Sequence, residues 1–151
     1  MCSSDLTQTL LTPWQVGASL YGADIDPNGD ALYVSERGAS ATQGVLHQVN
    51  LTTGAVMDLH YALNQLYGEG GSHVVAVAAN GKVFVDGDYP GSGWVPLREL
   101  DPITGTFSVR SDAPGSGPMN EVRGDTVIVR GERVEALVSR NGHFQRAILH
   151  I

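Results

Sequence analysis

Oxygen-bearing side chains stand at every second position in one short stretch near the start of the chain. These side chains are Asp24, Asp26, Asn28 and Asp30. Alternating oxygen ligands open the loop of EF-hand calcium sites, which has a glycine at its sixth position and a bidentate Glu at its twelfth. Counted from Asp24, Gly29 is the sixth residue but Ser35 is the twelfth. The stretch therefore predicts either a calcium site or a turn that holds no metal.

The composition of the same stretch is also that of a tight hairpin turn. Pro27 presets φ, and an Asn-Gly pair is the commonest way to supply positive φ in a hairpin. A related stretch further along, Ala78 to Gly81, keeps the Asn-Gly pair but has no carboxylate. Because the turn is retained without ligands, the sequence favours a turn. A surface Ca²⁺ site at Asp26, Asn28 and Asp30 is the alternative, and no other cofactor is predicted.

A second candidate site lies where strands are predicted to end beside long loops. Glu36, Asp86 and Asp88 occupy such ends, and Trp94 follows in the loop of the second copy of a repeat described below. Loop mouths often carry ligand-binding groups, and aromatic side chains supply contact area to partners. We therefore consider these four residues as a rim for a ligand or partner. A solvated loop mouth for the acids and packing of Trp94 between repeat units are the favoured alternatives.

The residue types used in nucleophilic and zinc chemistry show no recognisable arrangement. The five histidines are dispersed without the close spacing of a zinc site, and we interpret them as surface or strand residues. Ser35 could be imagined in a triad, but the sequence has no nucleophile elbow of the G-x-S-x-G type. The sequence thus predicts no catalytic residue, and enzymatic activity is left open with a preference against it.

Composition limits the classes of partner. The 151 residues carry a net charge of −7 and are 42% hydrophobic, which is enough apolar material for a folded core. An acidic chain argues against nucleic acid or an anionic membrane as the partner. No apolar run approaches the roughly 18 residues of a spanning helix, and the start lacks the features of a signal peptide. Localisation is left open, with the periplasm or extracellular space favoured.

The first residues do not resemble the rest of the chain. Residues 2–6, Cys-Ser-Ser-Asp-Leu, match the translation of the end of a widely used sequencing adapter. We expect residues 1–6 to be such an artefact and the reading frame to begin at a broken end of assembled environmental DNA. One lysine against eight arginines favours a GC-rich bacterial genome. A genuine short N-terminus is the alternative.

A pattern of two successive hairpins occurs three times. The first hairpins are "GADIDPNGDALYVSERGA", "VVAVAANGKVFVDGDYPG" and "MNEVRGDTVIVRGE", and each precedes a second hairpin whose turn is "LTTG", "DPITG" or "RNG". Length differences fall between the second and third strands, where surface loops tolerate them. Four strands per unit with Gly-bearing turns predict an all-β meander. The side chains expected inside are Leu32, Val34, Val45, Val49, Val56, Leu59, Val83, Val85, Leu97, Leu100, Phe107, Val109, Val127, Val129, Leu137, Phe144 and Ile148.

The stretch "GADIDPNGDALYVSE…GVLHQVNLTTGAV" resembles blades of the YVTN, NHL and gluconolactonase-like β-propeller superfamilies. The resemblance implies an all-β propeller fragment of about three four-stranded antiparallel blades in an open fan. The implied blades span residues 18–63, 72–113 and 117–151, and residues 7–17 would be a strand left from a preceding blade. Closed propellers have about four to eight blades, so further blades are expected in the full-length chain.

These motifs identify an architecture more than a chemistry. The leading interpretation is a non-enzymatic binding or scaffold module of a larger bacterial protein, with an unidentified protein or small molecule as its partner. The gluconolactonase-like resemblance implies the alternative, a propeller hydrolase with a divalent metal held by Glu, Asn and Asp from several blades. At the matching positions of this chain, Asn120 alone offers a comparable oxygen. That metal site would therefore lie mostly in missing upstream blades.

Overall fold

The structure is a computed structural model and describes residues 12–65, 68–87, 94–110, 121–123, 128–130, 133–140 and 143–150. This part of the chain contains β-strands and no helix. Its strand pairings are antiparallel. The predicted all-β class is confirmed.

The first sheet has four strands in the order of the sequence. They are β1 (Leu20–Ile25), β2 (Ala31–Glu36), β3 (Gln43–Asn50) and β4 (Val56–Ala62). All four lie within the predicted first unit, 18–63. The described residues 12–17 of the preceding segment form no strand, and residues 1–11 lie outside the described part of the chain.

The second sheet also has four strands in a meander. It consists of β5 (Ser72–Val77), β6 (Val83–Gly87), β8 (Arg98–Asp101) and β9 (Thr106–Val109), in that order. The strand β7 (Trp94–Pro96) falls between β6 and β8 in the sequence but pairs elsewhere. The structure thus contains two four-stranded antiparallel meanders, whose strands fall within residues 18–63 and 72–113.

The strands described within the third predicted unit, 117–151, belong to two sheets. Its first strand, β10 (Glu121–Arg123), pairs with β7. The strands β11 (Ile128–Arg130), β12 (Arg133–Arg140) and β13 (His143–His150) form a three-stranded sheet. The predicted strand beginning at Trp94 is interrupted at Leu97, directly after Pro96, which has no N–H to donate to a ladder. Its first part, β7, pairs with β10.

Asparagine and glycine shape the turns at one end of both sheets. Gly29 and Gly81 adopt φ values of 78° and 83°, in the left-handed region that glycine enters without steric cost. The first turn is longer, because Ile25 pairs with Leu32 whereas the equivalent Val77 pairs with Val83. The extra residue of the first turn makes Tyr33 the structural counterpart of Phe84.

The main core lies between the faces of the two sheets. Its fully or nearly buried members are Tyr33, Leu46, Leu59, Tyr61, Leu63, Val75, Val83, Val85 and Leu100. Hydrogen bonds also join the sheets: Ser35 Oγ donates to the carbonyl of His73, and Ser72 Oγ donates to the carbonyl of Glu36 at 3.0 Å. A Cβ on Gly22 would lie 2.8 Å from that same His73 carbonyl oxygen, so glycine allows β1 to approach β5 closely. Apolar burial and polar contacts together fix the position of one sheet against the other.

Candidate functional site

The carboxylate of Asp26 organises the first turn. Its Oδ1 accepts hydrogen bonds from the backbone N–H groups of Asp30 and Ala31, both at 2.7 Å, and its Oδ2 accepts one from Asn28 at 3.4 Å. The bond from Ala31 has the largest effect, and with the other backbone donors it holds the pKa of Asp26 below its usual value against the opposing effect of desolvation. Asp26 therefore stabilises the turn as a charged cap.

Asp24 connects the two sheets. Its Oδ1 accepts from the N–H of Ile25 at 2.9 Å, and its Oδ2 accepts from the N–H of Val77 in β5 at 2.7 Å. Both carboxylate oxygens thus bind backbone donors.

A surface Ca²⁺ site at Asp26, Asn28 and Asp30 stays a prediction. In the described part of the chain, no three His, Cys, Asp or Glu side chains are grouped to hold a metal ion. Calorimetric titration with CaCl₂ of the wild type and of Asp30→Ala tests the prediction, because that variant leaves the Asp26 cap in place. Loss of binding in Asp30→Ala would support the site.

A cleft of about 620 Å³ opens between the turn ends of the two sheets. Four amide side chains line it, from both sheets: Asn28, Gln48, Asn50 and Asn80. Its apolar lining is contributed by Pro27, Ala55, Val56, Met57, Ala79 and Pro102. The volume lies within the range of about 300–1,000 Å³ that is usual for small-molecule pockets.

The amides of the cleft keep hydrogen-bonding capacity to spare. Asn50 Oδ1 accepts from the N–H groups of Thr52 and Thr53, and Asn80 Oδ1 accepts from that of Lys82 at 3.1 Å. Each of these two side chains still has its Nδ2 group without a partner among the described residues. Since an amide offers both donors and acceptors, the cleft can exchange hydrogen bonds in both directions with a ligand.

Tyr33 is a buried residue in the lining of the cleft. This side chain is 2% exposed, and its hydroxyl accepts a hydrogen bond from Gln48 Nε2 at 3.0 Å. Desolvation is the main reason that the pKa of Tyr33 is raised, so the phenol stays neutral and protonated. The bond orients the Gln48 amide and leaves its Oε1 as an acceptor.

Glu36, one of the four predicted rim residues, belongs to a chain of ionisable groups on the other face of the first sheet. His47 Nε2 lies 2.7 Å from Glu36 Oε2, and His47 Nδ1 lies 2.8 Å from Asp58 Oδ1. Both ring nitrogens are thus engaged, which leaves neither free to act as a general base on a substrate. Burial raises the pKa of Glu36, but hydrogen bonds from His47 and from the N–H groups of Ala18 and Ser19 outweigh it and lower the pKa.

His47 is one of the histidines that the sequence interpretation assigned to the surface or to strands. It lies in β3 and is 3% exposed, so it is a buried strand residue. A Cβ on Gly17 would come within 2.7 Å of both Glu36 Oε2 and His47 Nε2, so the backbone at Gly17 lies directly over the pair. The alternation of β3 could have placed His47 beside Asp58. Nothing in it indicated that the backbone at Gly17 would lie over the Glu36–His47 pair.

Asp86, predicted at a loop rim, is instead fully buried. Its Oδ1 accepts from the N–H of Val74 at 2.8 Å, next to a bulge in β5. Ser35 has the equivalent place in the first sheet, where its Oγ accepts from the N–H of Gly22 at 2.8 Å. A bulge leaves a backbone donor without a ladder partner, and these two side chains supply the acceptor.

The other predicted site residues are only partly described. Trp94 lies in β7, with its backbone opposite Arg123 in β10. Asp88 and Asn120 lie outside the described residues. Glu36 and Asp86 belong to different sheets and have separate hydrogen-bond partners, so the structure does not show them as one cluster.

Comparison with known proteins adds no assignment: no protein-family model matches the chain, and no curated protein matches it. A helix of the length and apolar character needed to cross a bilayer does not occur in the described residues.

Proposed function

We propose that the chain is a non-enzymatic segment of a β-propeller, arranged as three blades, which serves as a binding module of a larger bacterial protein. The cleft between the turn ends of the first two sheets is its binding site. The observation that carries this proposal is the cleft itself, a concave volume that combines uncommitted amide groups with apolar walls.

The propeller part of the proposal rests on how the two complete sheets are arranged. Successive four-stranded meanders pack face to face, as blades do, and β1 lies beside β5. In the described residues β1 is hydrogen-bonded to a strand on one side alone, and it exposes Leu20, Tyr21 and Ile25 by 45%, 59% and 48%. An edge strand with exposed apolar side chains is suited to being covered by further structure.

A ligand-observed NMR screen tests the binding function. The probes are a mixed set of sugars, free amino acids, nucleosides, organic acids and simple amines. Three forms of the protein are compared: wild type, Ala79→Trp, which places an indole in the cleft, and Ala39→Trp, which places one on an exposed loop away from it. At least one probe class is expected to bind wild type and Ala39→Trp, with binding to Ala79→Trp at least tenfold weaker.

Two outcomes of this screen would contradict the proposal. One is that no probe binds the wild type. The other is that every bound probe binds Ala79→Trp as well as it binds Ala39→Trp, which would place binding outside the cleft.

The hydrolase alternative has less support in the described residues. A propeller metal centre needs several converging ligands. The carboxylates of Asp24 and Asp26 bind backbone donors, and His47 has both nitrogens occupied by carboxylates. An activity of this kind would depend on residues outside the part of the chain described.

A further inference from the structure

We infer that the cleft between the two sheets binds a neutral saccharide of one or two sugar units. This inference rests on the proposed binding function and names the ligand class of the same cleft. Its basis is the juxtaposition of amide side chains from both sheets with apolar walls, in a space that lacks basic groups.

The hydrogen-bonding groups of the cleft match hydroxyl groups. A sugar hydroxyl is both donor and acceptor, and so is an amide side chain. Asn28, which lines the cleft, makes no side-chain hydrogen bond to another described residue. Asn50 and Asn80 keep their Nδ2 donors, and Gln48 keeps its Oε1 acceptor. Donors and acceptors are thus presented from two sheets around one volume.

Charge argues against an anionic ligand. The described residues that line the cleft include no Lys, Arg or His, but they include the carboxylates of Asp26 and Asp30. Phosphate and carboxylate ligands are normally held by Arg, Lys or arrays of backbone N–H groups. Both carboxylates of the lining would repel them. A nucleotide, a sugar phosphate or an organic acid is therefore disfavoured.

The backbone around the cleft argues against an extended peptide. A peptide that adds to a sheet edge needs free main-chain groups. The turns here use theirs internally, since the N–H groups of Gly29, Gly54 and Gly81 donate to the carbonyls of Asp26, Asn50 and Ala78 at 2.8–3.0 Å. Recognition must therefore come from side chains, which suits a compact ligand whose polar groups point in several directions.

The apolar lining completes the match. Pro27, Val56, Met57 and Pro102 offer surface to the C–H groups of a sugar ring. Met57 is 51% exposed, so a ligand would remove apolar area from water as it entered. A fully apolar ligand is disfavoured, because it would leave the amides without partners.

Titration calorimetry with a matched probe set tests the saccharide class. The probes are the methyl glycosides of glucose, galactose, mannose and N-acetylglucosamine, maltose and cellobiose, and the corresponding 6-phosphates and uronic acids. Glycyl peptides and simple alkyl amines are the non-sugar probes. At least one neutral sugar is expected to bind with a Kd at least tenfold below that of its phosphate or uronate.

Two variants locate the binding. Asn28→Ala removes an amide of the cleft that has no hydrogen bond to another described residue, and it should weaken sugar binding at least fivefold. Gln43→Ala removes an exposed amide at the opposite end of β3 and should leave the Kd unchanged. Equal thermal unfolding of the two variants shows that the difference reflects contact with the ligand.

The outcomes separate this inference from the proposed function. Tighter binding of the anionic sugars, the peptides or the amines, abolished by Ala79→Trp, would overturn the saccharide class and leave the binding function standing. Sugar binding that Asn28→Ala and Ala79→Trp do not affect would place the sugar elsewhere and overturn the inference. If no probe of this set binds, the saccharide inference fails, and the wider ligand-observed NMR screen decides whether the binding function stands.

Discussion

The two four-stranded sheets carry different side chains at one pair of equivalent positions near their turn ends. These positions are called the corner of each sheet. In the first sheet Tyr33 and Gln48 lie opposite each other and form a neutral pair beside the cleft. In the second sheet the counterparts are Phe84 and Glu99, and Glu99 is bound by Lys82 Nζ and by Arg110 Nη1, both at 2.5 Å. The charged groups at the corner of the second sheet pair with one another, whereas the corner of the first sheet leaves amide groups available to a ligand.

This difference shows how one repeat can support two roles. The turns that set the register are shared: Asn50 and Asp101 accept hydrogen bonds from backbone N–H groups of the turns that follow them. Side chains beside these turns can then change without altering the strand pairing. The repeat specifies the scaffold, and residues such as Gln48 and Glu99 decide whether a corner is open to a ligand or closed by ion pairs.

The largest expected effect concerns the buried ion pair between Arg98 of β8 and Glu69, which lies in the segment between β4 and β5. Arg98 and Glu69 have side-chain exposures of 5% and 1% and form a bidentate pair at 2.5 and 2.8 Å. Arg98→Met should lower the free energy of unfolding by about 3–5 kcal/mol, because it leaves a buried carboxylate without its partner. Urea denaturation measures the loss.

The matched control is Glu99→Gln, in the partly exposed ion pairs of the second sheet. Its cost should be about 1 kcal/mol or less. A double variant, Arg98→Met with Glu69→Met, should recover much of the loss, because neither member of the pair is then left as an unpaired buried charge. A cost for Arg98→Met no larger than that for Glu99→Gln would show that burial does not distinguish these pairs.

The next effect concerns the two bulge caps. Ser35→Ala removes the acceptor for the N–H of Gly22 and the donor to the carbonyl of His73. The expected cost is about 1–3 kcal/mol, the usual penalty for a buried polar group left unsatisfied.

Ser40 Oγ also accepts backbone hydrogen bonds, from the N–H groups of Thr42 and Gln43, but these bonds are exposed to solvent. Ser40→Ala should therefore change the unfolding midpoint much less, because water can replace the lost acceptor. Equal midpoints for the two variants would refute the role of Ser35 as a cap.

A third prediction concerns a double variant that gives the corner of the first sheet the ion pair found at the corner of the second. Ala31 is the structural counterpart of Lys82, so Ala31→Lys with Gln48→Glu transfers the Lys82–Glu99 pair to the first sheet. Sugar binding should fall at least tenfold, while the free energy of unfolding changes by about 1 kcal/mol or less, as for other surface ion pairs. Calorimetry and urea denaturation on the same samples give both values. Unchanged affinity would refute the proposed difference between the corners.

The smallest effect is one of pH on the other face of the first sheet. The pKa of Glu36 is lowered in the folded protein, so its contribution to stability is complete above the ordinary value of 4.5 and is lost as pH falls through the lower folded value. Glu36→Gln should therefore cost stability at pH 7 and cost less at pH 3. Urea midpoints at both values measure the change. A cost that is the same at both would show that the charge of Glu36 is not involved.

Sequence patterns predicted the strands and turns well where local chemistry decides them. The Asn-Gly pairs at residues 28–29 and 80–81 placed two hairpins correctly, because such turns depend on few residues. The predicted core was less accurate: Leu97 and Leu100 are buried, but Val109 is 42% exposed, and Leu46 and Phe84 were missed. Alternation fails when both faces of a strand are covered, as for β6, in which all five residues are buried.

The candidate sites were harder to predict, because they depend on contacts between units. Asp24 stays a predicted metal ligand, but the hydrogen bond that it accepts from the N–H of Val77 in the other sheet could not be predicted from its own stretch of sequence. The cleft combines turns from four separate hairpins, whose relative placement no single stretch of sequence encodes. The Asn-Gly turns did contain a signal, since two of the amides that line the cleft, Asn28 and Asn80, belong to them.

Side-chain amide NMR tests the central claim most directly. The ¹⁵N–¹H₂ signals of the protein are followed during titration with the methyl glycosides and disaccharides named above. The signals of Asn28, Gln48, Asn50 and Asn80 should shift together with one Kd, while those of Gln43 and Gln65, at the other end of the first sheet, stay fixed. Shifts confined to Gln43 and Gln65, or no shift at the four cleft amides, would contradict the assignment of the cleft as the binding site.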